Sequence, residues 1–287
     1  MQPKNLKSKI FLDSGDPAET KKILQLLGFL DGQTTNPSLF AKNPEVMKRI
    51  AAGSRFSQEE VNNFYKKIIQ EISLLIPAGS VSIEVYADSK TSADAMVKQG
   101  QEMNAWIPNA HIKLPITSEG LKAAAKLTSL NIKVNMTLCF SQEQGAAVYA
   151  ATKGAKPGDV FLSPFIGRLD DIDLDGMSFI ANTVKMFATS DHHVAALAAS
   201  VRTFEHFMQS LKLETDIITA PAKVLEQWAQ KNFILPDENY IYNQNNLKTI
   251  PYQEIDLNKP FASYNIQHDL TDQGIAKFVA DWNKLLK

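Results

Sequence analysis

AHIKLPITSEGLKAAAKLTSLNIKVNMTL, residues 110–138, holds two short apolar runs with a helical stretch between them. Successive side chains of a strand point to opposite faces. In the first run Ile112, Leu114 and Ile116 therefore share one face, and His111, Lys113 and Pro115 share the other. In the second, Ile132, Val134, Met136 and Leu138 oppose Lys133, Asn135 and Thr137. A strand, a helix and a second strand in sequence form the unit of a parallel sheet.

The same unit recurs outward in both directions. Candidate strands lie at 10–13, 32–37, 81–87, 110–116, 132–138, 159–165, 193–200 and 216–221. Helix starts punctuate the intervals: Asp16-Pro17-Ala18-Glu19 sets a capping side chain, a helix-compatible proline and an acidic first turn in order, and Ser141 to Gln144 fits a capping box. Eight units predict a (β/α)8 TIM barrel with a C-terminal helical extension; an open doubly wound sheet is the alternative. The expected division is a catalytic barrel domain over 1–231 and a loop plus helix over 232–287. Residues 43–80 are expected to hold two helices and 234–253 an irregular loop. A terminal helix over Thr271–Leu286 carries Ile275, Phe278, Val279, Trp282 and Leu286 along one stripe. That stripe must pack on its own barrel or on a neighbouring subunit, the latter a route to a homo-oligomer.

The 287 residues are 44% hydrophobic and 21% charged, an ordinary globular balance that excludes disordered, collagen-like and coiled-coil chains. Thirty basic against 31 acidic residues leave a net charge of −1, so no nucleic-acid or anionic-membrane partner is expected. No apolar stretch is long enough for a signal peptide or a membrane span, and the single cysteine, Cys139, allows no internal disulfide; a cytoplasmic location is expected.

The polar strand faces carry the chemistry. If the apolar faces meet the helices, then Ser82, Glu84, His111, Lys113, Asn135 and Thr137 line the barrel interior, where unpaired charges are costly. Asp13, Asn36, Lys113, Thr137 and Ser200 fall at or near C-terminal strand ends, where barrel active sites sit. A desolvated amine is more easily neutral, and a neutral amine adds to a carbonyl to form a Schiff base. Lys113 fits that role; its plainer reading is a snorkelling lysine or a stabilising pair with Glu84. Glu84 and Asp13 suit acid and base roles, or merely balance Lys113. Arg168 and Arg202, in adjacent loops, suggest an anion clamp for phosphate, against surface pairs with Asp170, Asp171 or Glu205. The five histidines show no metal-ligand spacing, no glycine-rich phosphate loop occurs, and Cys139 reads as packing.

FLDSGD (11–16), TTNPSLF (34–40), IKLPITSEG (112–120), NMTLCFS (135–141) and SPFIGRLDD (163–171), supported by SIEVYAD and AASVRTFEHF, resemble the transaldolase family and the related fructose-6-phosphate aldolases. The resemblance implies Schiff-base chemistry without metal or organic cofactor, sugar-phosphate substrates and a place in the pentose phosphate pathway. By motif, Lys113 resembles the Schiff-base lysine and Asp13 the acid/base for carbon–carbon cleavage. Glu84 and Thr137 resemble the pair that holds a water for proton transfer. Asn36, Asn135 and Ser163 resemble the contacts to the dihydroxyacetone unit, and Arg168, Ser200 and Arg202 the phosphate set. Glu84 and Phe165 stand where aldolase members tend to carry Gln and Tyr, which favours transfer over cleavage. An aldolase-like lyase and a non-catalytic sugar-phosphate-binding barrel remain as the competing readings.

Overall fold

The computed structural model describes residues 2–244 and 246–287; residue 245, in the expected irregular loop, and Met1 lie outside the described residues. The strands are β1 (Lys9–Asp13), β2 (Gly32–Thr34), β3 (Ser80–Glu84), β4 (Ala110–Pro115), β5 (Val134–Cys139), β6 (Val160–Pro164), β7 (Leu174–Asp175), β8 (Val194–Ala198), β9 (Ile217–Ala220) and β10 (Lys248–Thr249). Eight of them close into a barrel in the order β1-β2-β3-β4-β5-β6-β8-β9, all parallel, with β9 paired back onto β1. Helices cover the outside, giving the (β/α)8 barrel that the eight units predict and discarding the open sheet. β7 and β10 form a separate two-stranded pair that the sequence did not announce. With Asn182 Nδ2 donating to the Ile250 carbonyl at 2.9 Å, the pair ties the 234–253 segment down.

The local signals hold. Asp16 accepts from the Ala18 amide at 2.9 Å with Pro17 in the first turn, and Gly28, at φ 75°, ends that helix. Ser141 and Gln144 cap reciprocally. Helices Pro44–Ala51 and Gln58–Leu75 fill the interval between β2 and β3.

Six of the eight expected strands overrun the observed ones at their C-terminal ends; β1 ends at Asp13 as expected and β5 runs one residue further, to Cys139. β2 stops at Thr34 because Asn36 accepts from the Leu39 amide at 2.9 Å and Pro37 opens a helix. β3 stops at Glu84, β8 at Ala198. β5 shifts register after Met136, with Leu138 at φ 62°, and Ser200 stands at φ 58°. Both of these left-handed non-glycine residues stand where a strand hands over to the site.

The barrel is floored by aromatic packing and filled above by polar groups. His111 stacks on Phe161 at 3.9 Å, and Phe161 meets Phe11 edge-on at 5.9 Å. Burial pushes the His111 imidazole down to about 3, so it stays neutral, accepting from Ser80 Oγ (2.7 Å) and donating to the Gly158 carbonyl (3.0 Å). Higher up, Asn135 Nδ2 donates to Ser82 Oγ at 3.0 Å, and Ser163 Oγ donates to Asn135 Oδ1 at 2.6 Å. Buried polar groups survive there because they pair across the interior.

The terminal helix, Asp269–Asn283, lies across the C-terminal mouth of its own barrel. Thr271 Oγ1 donates to the Leu138 carbonyl (2.9 Å) and Ser38 Oγ to Asp281 Oδ2 (2.5 Å). Beyond it, the Phe56 amide donates to the Leu285 carbonyl (2.8 Å) and the Lys287 amide to the Phe56 carbonyl (3.0 Å). Trp282 packs on Phe40 and Tyr65, with ring centroids 5.4 and 5.7 Å away. A Cβ at Gly274 would stand 2.6 Å from Leu138 Cδ2 and 2.8 Å from Arg168 Nη1, so only glycine lets the helix approach this closely. Among the described residues no helix is long and apolar enough to cross a membrane.

Candidate active site

Register brings the reactive groups together. Glu84 on β3 is opposite Lys113 on β4, and Lys113 is opposite Asn135 on β5. Lys113 Nζ lies 3.0 Å from Glu84 Oε2, with both side chains under 5% exposed. It also donates to the Thr35 carbonyl at 3.1 Å. Burial pushes the Glu84 carboxyl above the ordinary carboxylate range, against the pull of Lys113. Asp13 at the end of β1 is shifted the same way by desolvation, opposed by Lys113 and by Thr34, whose hydroxyl donates to Asp13 Oδ1 at 2.7 Å. Thr34 in turn shares a 2.6 Å hydrogen bond with Thr219 of β9, closing the polar ring where the barrel itself closes.

A cavity of about 170 Å³ opens above these groups at the C-terminal mouth. Asp13, Asn36, Lys113, Ser163, Phe165, Arg168 and Ser200, all singled out from the sequence, line it. Glu84 stands behind Lys113 and faces a second, outer cleft of about 370 Å³. Asn135 is fully buried beneath, reached through Ser163. Thr137 is also fully buried, and its hydroxyl has no hydrogen-bond partner among the described residues. Arg202 does not line the cavity: both oxygens of Asp171 hold its guanidinium, one at 2.7 Å, which is the surface pair of its plainer reading. It packs over Gly167, beside Arg168. Burial and the neighbouring Arg202 charge lower the Arg168 guanidinium below its usual range.

Sequence reasoning missed eight cavity-lining residues, among them Thr34, Lys42, Thr219, Lys277 and Phe278. The signal for Thr34 was present, since period two from Gly32 turns it inward. Phe278 was legible as apolar stripe but not as part of a site.

Residues 43–80 contribute a support, Tyr65. Its hydroxyl lies 2.8 Å from Thr35 Oγ1, which donates to the Ser82 carbonyl at 2.8 Å, so the phenol donates to Thr35 and accepts the Glu84 amide at 3.2 Å. One buried hydroxyl thus joins the ends of β2 and β3, whose Thr35 carbonyl and Glu84 carboxyl both meet Lys113 Nζ. Tyr65→Phe leaves the buried Glu84 amide without its acceptor. The expected stability loss is about 1–3 kcal/mol in urea denaturation, with a several-fold drop in turnover.

The arrangement offers a buried amine beside a carboxylate, a second carboxyl on the opposite wall, and a guanidinium at the mouth. It can add to a carbonyl, move protons on two sides of the adduct and hold an anion. Among the described residues no group of three or more His, Cys, Asp or Glu side chains could hold a metal.

Comparison with known proteins gives a consistent result. The family described as Transaldolase/Fructose-6-phosphate aldolase matches residues 10–287. A "probable transaldolase" of Dehalococcoides mccartyi is 35% identical, over 97% of this chain and 100% of its own. One from Anaeromyxobacter dehalogenans is 34% identical, over 97% of this chain and 98% of its own. Another from Moorella thermoacetica is 35% identical, over 96% and 98% respectively.

Proposed function

Because the chain belongs to the transaldolase/fructose-6-phosphate aldolase family, we propose that it transfers a dihydroxyacetone unit from a ketose phosphate to an aldose phosphate through a Schiff base on Lys113. Fructose 6-phosphate or sedoheptulose 7-phosphate is the donor, and erythrose 4-phosphate or glyceraldehyde 3-phosphate the acceptor. The observation that carries the reading is Lys113 itself: an amine 3% exposed, opening onto a cavity that also holds Asp13 and Arg168.

Lys113 Nζ adds to the ketose C2 carbonyl. The resulting carbinolamine loses water, with the raised Glu84 carboxyl supplying a proton to the departing hydroxide. A water between Glu84 and the unpartnered Thr137 hydroxyl relays that proton. The iminium then draws electrons from the C3–C4 bond as Asp13 takes the proton of the C4 hydroxyl. The aldose phosphate leaves, and the three-carbon unit stays on Lys113 as an enamine. The acceptor reverses these steps, and its new hydroxyl takes its proton from Asp13. Asn36, Asn135 and Ser163 hold the hydroxyls of the three-carbon unit. Arg168 and Ser200 hold the phosphate, with Arg202 joining them once it leaves Asp171.

The test follows fructose 6-phosphate turnover with and without erythrose 4-phosphate, with borohydride trapping of Lys113. Turnover that requires the acceptor supports transfer; comparable turnover without it means an aldolase, and no turnover with no adduct sinks the reading. Phe165 bears on the same distinction. Phe165→Tyr puts a hydroxyl where water can be steered onto the enamine. Free dihydroxyacetone release is expected to rise about tenfold, and an unchanged release rate would refute this account of the discrimination.

A further inference from the structure

Phe278 borders two cavities at once. It lines the substrate cavity with Lys113, Asp13 and Arg168. It also lines a gap of about 10 Å³ behind that cavity, roughly the room for one water, together with Glu84, Tyr86 and Pro37. The last three residues also line the outer cleft of about 370 Å³. Outer cleft, gap and substrate cavity therefore follow one another, and the Phe278 ring stands between the last two.

The ring's place relative to the reacting groups matches that of Phe165. Phe278 lies 5.9 Å from Lys113 Nζ and 5.6 Å from Arg168 Cζ, ring centroid to cation; for Phe165 the distances are 5.8 and 5.6 Å. Two rings thus flank the same amine and the same guanidinium. One comes from the end of β6, the other from the terminal helix, and the close approach at Gly274 fixes that helix against Leu138 and Arg168. Phe278 is itself buried.

We propose that Phe278 is a specificity-determining residue: a bulkhead that keeps solvent of the outer cleft from the three-carbon enamine and so sets the partition between transfer and release. The inference rests on the transfer reading above. Release needs water twice. The enamine carbon takes a proton originating in water, giving the iminium. Water then adds to C2, and the carbinolamine collapses with cleavage of the C–N bond, freeing dihydroxyacetone and returning the Lys113 amine. Transfer needs neither step before the acceptor arrives. Excluding water while the enamine waits slows release; transfer needs water only later, when the finished product is hydrolysed from Lys113.

The experiment measures, on the same enzyme sample, dihydroxyacetone released from fructose 6-phosphate and product formed with saturating erythrose 4-phosphate. Their ratio is independent of the fraction of enzyme that is folded. Phe278→Ala is expected to raise the released share about tenfold, and Phe278→Leu, which refills most of the space, to return it most of the way. A ratio unchanged in Phe278→Ala, or one that rises equally in both variants, overturns the proposal. Should Phe278→Ala yield no active enzyme, the ratio in Phe278→Val decides: the smaller side chain still opens the wall, so the released share must rise, and an unchanged ratio overturns the proposal. If wild-type enzyme gives no borohydride-trapped adduct, the transfer reading has failed. If it traps and transfers normally while the variants keep its ratio, only the role of Phe278 has failed.

Discussion

Lys113→Met yields no borohydride-trapped adduct and turns over fructose 6-phosphate about a thousandfold more slowly or worse, measured with saturating acceptor. The size follows from the role assigned. Without the amine there is no iminium, and without the iminium the C3–C4 bond has nowhere to send its electrons. Methionine keeps the length of the side chain, so the strand and its apolar neighbours should stay in place. The charge balance does change, since the Glu84 carboxylate loses the ammonium 3.0 Å away. Breaking a buried pair is more costly than removing it whole. Lys113→Met is therefore expected to lower stability, and the double variant with Glu84→Gln to recover much of the loss while remaining inactive. An active, trappable Lys113→Met enzyme would mean that another group carries the chemistry.

Asp13→Asn is expected to separate the two halves of the reaction. In the proposed mechanism Schiff-base formation depends on Lys113 and Glu84, so the adduct should still be trapped. Cleavage depends on a base for the C4 hydroxyl, and its loss should lower turnover about a hundred- to ten-thousandfold. The wild-type pH profile gives the sign. Desolvation raises the Asp13 carboxyl above its ordinary value. The base form is lost as pH falls through that raised value, so the acid limb of kcat/KM should lie above the usual aspartate range. Loss of trapping in Asp13→Asn would place Asp13 in adduct formation instead.

The legibility of this chain divides by the distance over which each signal acts. Caps, run lengths and period-two alternation are local, so the eight strands, the capping box at Ser141 and the inward polar faces of β3 to β5 could all be read from the sequence. The Lys113–Glu84 pair could be read because neighbouring strands in a parallel barrel are consecutive in sequence. Strand ends could not. At 35–37 and 85–87 the chain leaves the sheet to build the site, and there side-chain capping and loop geometry win over strand character. Thr34 meets Thr219 only because the barrel closes. Tyr65 reaches Glu84 from a helix whose length looked unrelated to the chemistry. The apolar stripe of 275–286 promised burial and said nothing about where, and the choice of Arg202 between Asp171 and an anion is decided in space.

The helix across the mouth also has a consequence in time. A chain emerges from its N-terminus onward at about 5–20 residues per second, and domains fold as they appear. β9, the strand that closes the barrel, is made well before Phe278, so several seconds separate a closable barrel from its wall. On the proposed chemistry, a barrel that closes before its last helix is made would hold the Lys113 amine open to the surrounding pool of sugars and aldehydes. A ribosome stalled in that interval would display an unguarded reactive lysine, and adducts on arrested nascent chains should gather at Lys113.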